Sequence, residues 1–376
     1  MRVALVHDWL TGMRGGEKVL ESLCELFPQA SIFTLIHNKG SVSPLLESMP
    51  IETSFLQHLP FVKEKYRNYL PLFPWAIERF DLKGFDLIIS SSHCVAKGVR
   101  KPKGAFHVCY CHTPMRYVWL FFEEYFGSFP FYKRWVIKAL SIYLKHWDIA
   151  TLDRVDEFVA NSHTIQRRIR EIYRRESVVI HPPVDVDSFD YDPQKPKGDF
   201  YICVSSMVPY KRIDIIIEAF NKMRDKKVVI VGDGHLRKAL QKMSCSSNII
   251  FRGWVRKEEL RDLYQRAKAF VFAAEEDFGI APIEAQAAGL PVIAYGKGGL
   301  SETVIPLDGE VQDVYPTGIL FPRQENLSLI EAIEEFERRR GEFSPQKIRR
   351  HALKFSKEDF KRNIQKYMRE RLKINL

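Results

Sequence analysis

Short runs that are apolar on both faces alternate with amphipathic stretches along nearly the whole chain, a pattern that is buried only in parallel sheets covered by helices. The first unit comes at once. Val3 to Val6 read as a strand, a glycine-rich turn follows (Gly12, Gly15, Gly16), and then a helix begins. In that helix Val19, Leu20, Leu23, Leu26 and Phe27 recur at three- and four-residue spacing, so one face is buried. Further strands are expected at Ser31–Leu35, Leu87–Ile89, Ala105–Tyr110, Glu157–Ala160 and Ser177–Ile180.

His181-Pro182-Pro183 stops the last of these strands, and the polar stretch Asp190–Gly198 then marks a boundary. The alternation resumes more cleanly beyond it. Strands are expected at Tyr201–Ser205, Lys227–Val231, Ile249–Phe251, Ala269–Phe272, Pro291–Ala294 and Gly318–Phe321, with helices between them such as Ile213–Met223 and Glu258–Arg266. The order implies right-handed crossovers and open twisted sheets. The expected fold class is therefore α/β: two Rossmann-like domains, residues 1–189 and 190–355, facing each other across a deep cleft. The charged tail, helical from Pro345 to about Leu372, is expected to cross back, with 356–376 packing on the first domain.

Composition narrows the function classes. At 376 residues, with 45% hydrophobic and 28% charged content, the chain can bury a core in each half. Its net charge of +10 suits polyphosphate substrates or an anionic membrane face. Nucleic acid ranks last, because no binding motif accompanies the dispersed cations. No secretory signal is expected, since Val3–Val6 gives way directly to His7 and Asp8, and no run of about eighteen apolar residues exists to span a bilayer. The six cysteines (Cys24, Cys94, Cys109, Cys111, Cys203, Cys245) lack paired spacing and read as reduced thiols. A cytoplasmic protein is expected, with peripheral contact at the inner face of the plasma membrane.

The most informative motif is Glu276-Asp-Phe-Gly-Ile-Ala-Pro-Ile-Glu284 with Ala288-Gly289-Leu-Pro behind it. A strand ends just before the first carboxylate, a Phe-Gly turn follows, and the second carboxylate lies in the new helix. The helix-start N–H groups of Phe278, Gly279 and Ile280 would present a positive dipole end to phosphate or sugar oxygens. Two carboxylates there can accept hydrogen bonds from sugar or ribose hydroxyls. A Glu276 that merely caps the helix, with Glu284 solvated, is the blander alternative.

This stretch resembles the E-x7-E signature of the retaining glycosyltransferases of family 4, which have the GT-B fold. The likeness extends through Gly15-Gly16-Glu17, His112-Thr-Pro-Met-Arg116, Ala160-Asn-Ser-His, Pro182-Pro-Val-Asp185, Val208-Pro-Tyr-Lys-Arg212, Gly232-Asp-Gly234, Gly298-Gly299 and Glu302-Thr303. The combination is most similar to mannosyltransferases that build O-antigens, capsules and exopolysaccharides from GDP-mannose. The resemblance implies transfer of a sugar from a nucleotide-sugar donor to a glycan or lipid-linked glycan, with retention, no cofactor and no metal. It implies that Glu284 grips the donor's ribose, Glu276 a hydroxyl of its sugar, and His112 the same sugar from the first domain. Lys211 and Arg212 would neutralise the departing diphosphate in place of a metal ion. Gly15 and Gly16 would close over it, and Gly232 and Gly234 would form a nucleotide-binding turn. The base pocket would be lined by Phe251–Val255, with Trp254 either there or in ordinary packing. Ser206 stands where the family usually has an arginine, so the phosphate loses a charge unless Arg212 or another cation takes over.

Other features stay open at this stage. His93 is a weaker candidate beside Ser90–Ser92. Asp185-Val-Asp187 mimics a metal-binding DxD but follows the Pro-Pro pair and is rejected as a metal site. Tyr117–Trp147 interleaves aromatics with Lys133, Arg134, Lys138 and Lys145, which suits a membrane interface, a lipid-linked or sugar acceptor, or burial. Side chains do not separate GDP-mannose from a UDP-sugar. An epimerase would need dedicated acid–base groups, whereas an inactive sugar-nucleotide-binding scaffold would fit Ser206.

Overall fold

The structure, a computed structural model, describes residues 1–120, 122–127, 129–308 and 315–373. The chain divides into two compact units, Met1–Pro183 with Glu358–Leu376, and Val184–Lys357. The division thus falls at the Pro-Pro pair rather than at Asp190, because Val184 already pairs with Ser356 in the second unit.

The first unit is a seven-stranded parallel sheet. Its strands are β1 (Val3–His7), β2 (Ser31–Thr34), β3 (Ile51–Thr53), β4 (Leu87–Ser92), β5 (Phe106–Cys111), β6 (Glu157–Ala160) and β7 (Ser177–Val179), in the order β3-β2-β1-β4-β5-β6-β7. Every residue of β1 and β4 is buried, as continuous apolar runs in a doubly covered sheet require. β3 escaped the sequence reading because Ile51–Thr53 is only three residues long. Successive strands run outward from β1 in one direction and then, from β4, in the other. The carboxyl ends of β1 and β4 therefore flank a topological switch point.

Helix Gly15–Leu26 corrects the expected glycine turn: Gly15 and Gly16 form its first turn. The tail helix Lys357–Leu372 packs within this unit, with Phe360, Ile364, Tyr367 and Met368 in the core and Tyr367 donating to Glu157 at 2.6 Å. A break at Leu353–Ser356 separates it from helix Pro345–Ala352, so the tail is not one continuous helix.

Helix Phe131–Ala150 is pinned by a buried polar cluster. Lys97 Nζ pairs with Asp148 at 2.9 Å and donates to Thr151 at 3.0 Å, while Asp148 Oδ2 accepts from Trp119 Nε1 and Tyr173 OH, each at 2.8 Å. Such a pair holds only when fully hydrogen-bonded. It turns Leu144 and Asp148 inward, which leaves Trp135, Val136, Ile142 and Tyr143 exposed.

The second unit is a six-stranded parallel sheet of β8 (Tyr201–Val204), β9 (Val228–Val231), β10 (Ile249–Gly253), β11 (Phe270–Phe272), β12 (Val292–Tyr295) and β13 (Gly318–Phe321), in the order β10-β9-β8-β11-β12-β13. Its switch point lies between β8 and β11. Helices Ile213–Lys222 and Asn326–Arg339 bury Ile216, Ile217, Phe220, Leu329 and Phe336 against one face. Both units are Rossmann-like, as the alternation predicts. All six cysteines are free, Cys245 alone being exposed.

Buried histidine makes the first unit's stability pH-dependent. His107 in β5 is fully buried, with its Nδ1 facing the Arg154 carbonyl at 2.9 Å and its Nε2 facing Ser90 Oγ at 2.8 Å. Burial lowers its pKa to about 4. The folded state therefore refuses a proton that the unfolded chain binds below about 6.5. Stability is full above about 6.5 and should fall between there and about 4, by up to about 1.4 kcal/mol per pH unit for this histidine. Denaturant titrations at several pH values should show that slope reduced in a His107→Gln variant. An unchanged slope would assign the acid sensitivity elsewhere.

Candidate functional site

In the second unit, the loops leaving β8 and β11 bring Lys211 and Glu276 together. Lys211 Nζ forms an ion pair with Glu276 Oε1, both side chains largely buried, and the cation also lies 5.8 Å from the Phe272 ring centre. The Glu276 carbonyl accepts from Gly299 N at 2.7 Å, and Glu276 bridges Gly298, which fixes the carboxylate between two loops. Helix Ile280–Ala287 begins immediately behind, capped by Gly279 in the left-handed region at φ 98°. Its first-turn N–H groups have no intrahelical partner, and this positive dipole end begins four residues after Glu276. Phe278 is buried, Ile280 is partly buried, and Glu284 lies partly buried inside the helix. Arg349 donates to the Ala287 carbonyl at 2.6 Å and secures the other end.

Arg212 is placed differently from Lys211. It occupies a left-handed conformation (φ 50°) and its guanidinium is held by Asp214 at 3.0 Å and by Gln324 at 3.3 Å. Its charge is thus already shared. Ser206 is exposed on the turn after β8. Gly232 and Gly234 follow β9 and press against that turn: a Cβ on Gly232 would overlap the Ser205 carbonyl, and one on Gly234 would lie 2.5 Å from Met207 O. Trp254 is 77% exposed, so ordinary packing does not describe it. Asp185 pairs with Lys257 and Asp187 is exposed. Among the described residues, no group of three His, Cys, Asp or Glu side chains is arranged to hold a metal ion.

In the first unit, a second constellation occupies the switch point between β1 and β4. His112, just past β5, sits with Nε2 at 2.8 Å from Ser91 Oγ, and that oxygen is 3.1 Å from His7 Nδ1. His7 Nε2 in turn lies 4.0 Å from Glu17 Oε1, in ion-pair range rather than at hydrogen-bond length. Gly16 is required by closeness: a Cβ there would stand 3.2 Å from the His7 ring and 3.7 Å from His112 Nε2. Gly15 precedes it as the first helical residue. Asp8 is fully buried and accepts four backbone N–H groups, from His93, Cys94, Val95 and Ala96, at 2.6–3.0 Å. It also holds His93 Nδ1 at 3.1 Å. His93 belongs to this network rather than to a solvated loop.

Electrostatics fix the character of these groups. Burial pushes His112 well below its ordinary pKa, with His93 and His7 adding to the effect. His112 is therefore neutral at pH 7 and acts through hydrogen bonds, not as a cation. Burial alone would raise the Glu17 carboxyl, but nearby His7 outweighs it and holds the pKa below the usual value. An ionised Glu17 favours a proton on His7 Nε2. With only that proton on His7, its Nδ1 accepts from Ser91, whose oxygen accepts from His112 Nε2–H, and His112 Nδ1 is left as an acceptor.

Sequence reading singled out His112, Gly15 and Gly16 here but not His7, Asp8 or Ser91, and quoted Glu17 only within a motif. The available signal was a His-Asp pair directly after a buried strand, where sheet-edge sites form. In the aromatic segment, Phe121 and the Tyr125 side chain lie outside the described residues.

Comparison with known proteins covers nearly the whole chain. Residues 13–188 match the family described as Glycosyltransferase Family 4, and residues 187–355 match Glycosyl transferases group 1. A GDP-mannose-dependent alpha-(1-6)-phosphatidylinositol monomannoside mannosyltransferase of Mycolicibacterium smegmatis is 32% identical over 159 residues, 35% of this chain and 41% of that protein. The sulfoquinovosyl transferase SQD2 of Arabidopsis thaliana is 30% identical over 131 residues, 35% of this chain and 24% of the relative. The matched stretches thus span less than half of these curated relatives. Among solved structures, a sucrose-phosphate synthase from Thermosynechococcus elongatus superposes with a TM-score of 0.71 at 19% identity, covering 99% of both chains. Anabaena HepE in complex with UDP gives 0.67 at 16% identity, covering 97% of this chain and 99% of its own.

The histidine chain has a direct spectroscopic consequence. Nitrogen-15 shifts of His7 and His112 should both report the Nε2–H tautomer at pH 7. Glu17→Gln should release His7 from it, and Ser91→Ala should release His112. An Nδ1–H tautomer for His112 in the unsubstituted protein would reject the polarity derived above.

Proposed function

The chain belongs to the GT-B glycosyltransferases, and from that premise we propose that it transfers a hexosyl residue, mannosyl from GDP-mannose, to a glycan or lipid-linked glycan in cell-surface polysaccharide synthesis. The reading includes retention of anomeric configuration and no requirement for metal. The observation that carries it is the Lys211–Glu276 pair at the head of helix Ile280–Ala287. A donor diphosphate placed there meets a cation and a helix-start dipole, the two groups that stabilise charge on a departing phosphate. Glu276 is released from Lys211 as the phosphate takes the cation, and its carboxylate then accepts from a sugar hydroxyl. Glu284, in the same helix, takes the ribose hydroxyls. Within the first unit His112 is neutral and offers Nδ1 as an acceptor for a sugar hydroxyl. No carboxylate in the second unit demands the role of nucleophile, so the leaving phosphate takes the acceptor proton. GDP-mannose is the donor named for the mannosyltransferase relatives. A UDP-sugar donor is the second reading, favoured by the UDP held in the HepE structure.

Thermal shifts with GDP, UDP and their sugar nucleotides in EDTA test the donor. A ligand at a hundred times its Kd adds about 2.7 kcal/mol to the folded state. GDP alone should stabilise; UDP alone would replace the donor, and no shift with any nucleotide would leave a scaffold that has lost the donor site. Lys211→Ala should lower kcat by about 10²–10³-fold, as loss of one transition-state donor does elsewhere. An inverted product or abolished activity in chelator would reject retention or metal independence respectively.

The same reading places the protein at an anionic membrane face. Among the described residues no helix is long and apolar enough to cross a membrane. Helix Phe131–Ala150 instead carries an outward row with Trp135 at 72% and Val136 at 70% exposure, flanked by exposed Lys133 and Lys138. Its only acid, Asp148, is buried. Binding to vesicles should require anionic lipid, fade with salt and weaken in a Trp135→Ser/Val136→Ser variant. Binding indifferent to lipid charge and salt would dismiss it.

A further inference from the structure

The loops leaving β1, β2 and β3 enclose a cavity of about 420 Å³ at the carboxyl edge of the first unit's sheet, lined by Thr11, Arg14, Asn38, Lys63, Lys65 and Arg67 among others. Arg14 directly precedes Gly15 and Gly16, so the cavity adjoins the loop that covers His7 and His112. Asn38 Nδ2 donates to the Lys63 carbonyl at 3.4 Å and ties the two sides together.

Charge separates this cavity from an ordinary solvated face. Several other cations of this unit are neutralised by a carboxylate: Arg100 and Arg154 by Glu78, Lys101 by Asp156, Arg134 by Glu123. Arg14, Lys63, Lys65 and Arg67 make no ion pair among the described residues. Glu64 is the sole acid among the residues that line the cavity, and none of the four reaches it within ion-pair distance. Lys65 and Arg67 instead lie over the Phe61 and Tyr66 rings, at 5.7 and 5.5 Å. Four unpaired cations converging on one concavity leave a net positive field that a bound anion would satisfy. The volume accommodates a phosphate or diphosphate with a sugar ring, and Thr11, Asn38 and Asn68 offer neutral hydrogen-bonding groups for its hydroxyls.

We infer that this cavity is the anchor for a phosphate or diphosphate group on the acceptor, so that the acceptor is a phosphorylated or diphosphate-linked glycan rather than a neutral sugar. The inference rests on the glycosyltransferase reading for the word acceptor, but the anion site itself does not. The cation assigned to the donor's phosphates, Lys211, belongs to the other unit. A separate set of four in this one calls for a second anionic group.

The test is pyrophosphate binding by titration calorimetry to full-length protein carrying Lys211→Ala, which removes the donor-side cation. Pyrophosphate should bind that variant, and adding Lys63→Ala/Lys65→Ala/Arg67→Ala should weaken it at least thirtyfold, since each charge-assisted contact is worth roughly tenfold. Returning arginine at 63 and 65 should restore it. Should the combined variant melt early in the absence of ligand, Arg67→Gln alone should still cost about tenfold. GDP and UDP thermal shifts should be the same with and without the triple substitution. No binding to Lys211→Ala, or binding unchanged by the triple substitution, overturns the proposal. A nucleotide shift lost with the triple substitution would give the cavity to the donor. Loss of vesicle binding with pyrophosphate binding intact would give its cations to lipid headgroups. Absence of any nucleotide shift in the unsubstituted protein would instead defeat the transferase reading and leave the anion site standing.

Discussion

Every strand pairing in both sheets is parallel, and much of the chemistry follows from that constraint. Parallel strands deliver all their carboxyl ends to one edge, and the loops there must be held without the regular ladder. In the first unit a single buried carboxylate does this: Asp8 gathers four successive backbone N–H groups from the loop after β4. Those amides would otherwise be buried and unpaired, each costing about 1–3 kcal/mol. The second unit uses main chain instead, with the Glu276 carbonyl fixed by Gly299 N and the side chain left for Lys211. In each case the switch point is rigid first and reactive second.

Much of this was legible in sequence, and the boundary of legibility is physical. Buried strands and their crossover helices announce themselves locally, so most strand positions were recoverable to a residue or two; β3 was too short to register, and the serines that end β4 hid its last three residues. Glu276 and Glu284 share one strand–turn–helix unit, and their spacing alone carries the motif. His7 and Ser91 lie 84 residues apart and meet only because β1 and β4 are neighbours in the sheet. No periodicity states that adjacency. Arg14 and Lys63–Arg67 were invisible as a group for the same reason. Arg212 shows the opposite case: Asp214, two residues on, holds it, and that partner was in plain view. Gly15 and Gly16 read as a turn because glycine disfavours helix; at Gly16 the nearness of His7 and His112 accounts for a glycine in the helix's first turn.

Helix Phe131–Ala150 illustrates how a buried charge can decide what faces outward. Its sequence is apolar on both sides, so amphipathicity does not choose a face. Asp148 does, because its carboxylate must reach Lys97, Trp119 and Tyr173 together. The indoles and aliphatic groups on the far side are then exposed by default, and the flanking lysines determine which surface suits them.

The close approach of Gly232 and Gly234 to the main chain of Ser205 and Met207 bears on how such a site can change over time. Any side chain at either glycine would push the ends of two central strands apart, so mutational drift is blocked there. Ser206 and Trp254, exposed on neighbouring loops, carry no such penalty. Variation among descendants of this chain should accumulate on those loops while the backbone of the turn stays fixed, a rigid frame around replaceable fittings.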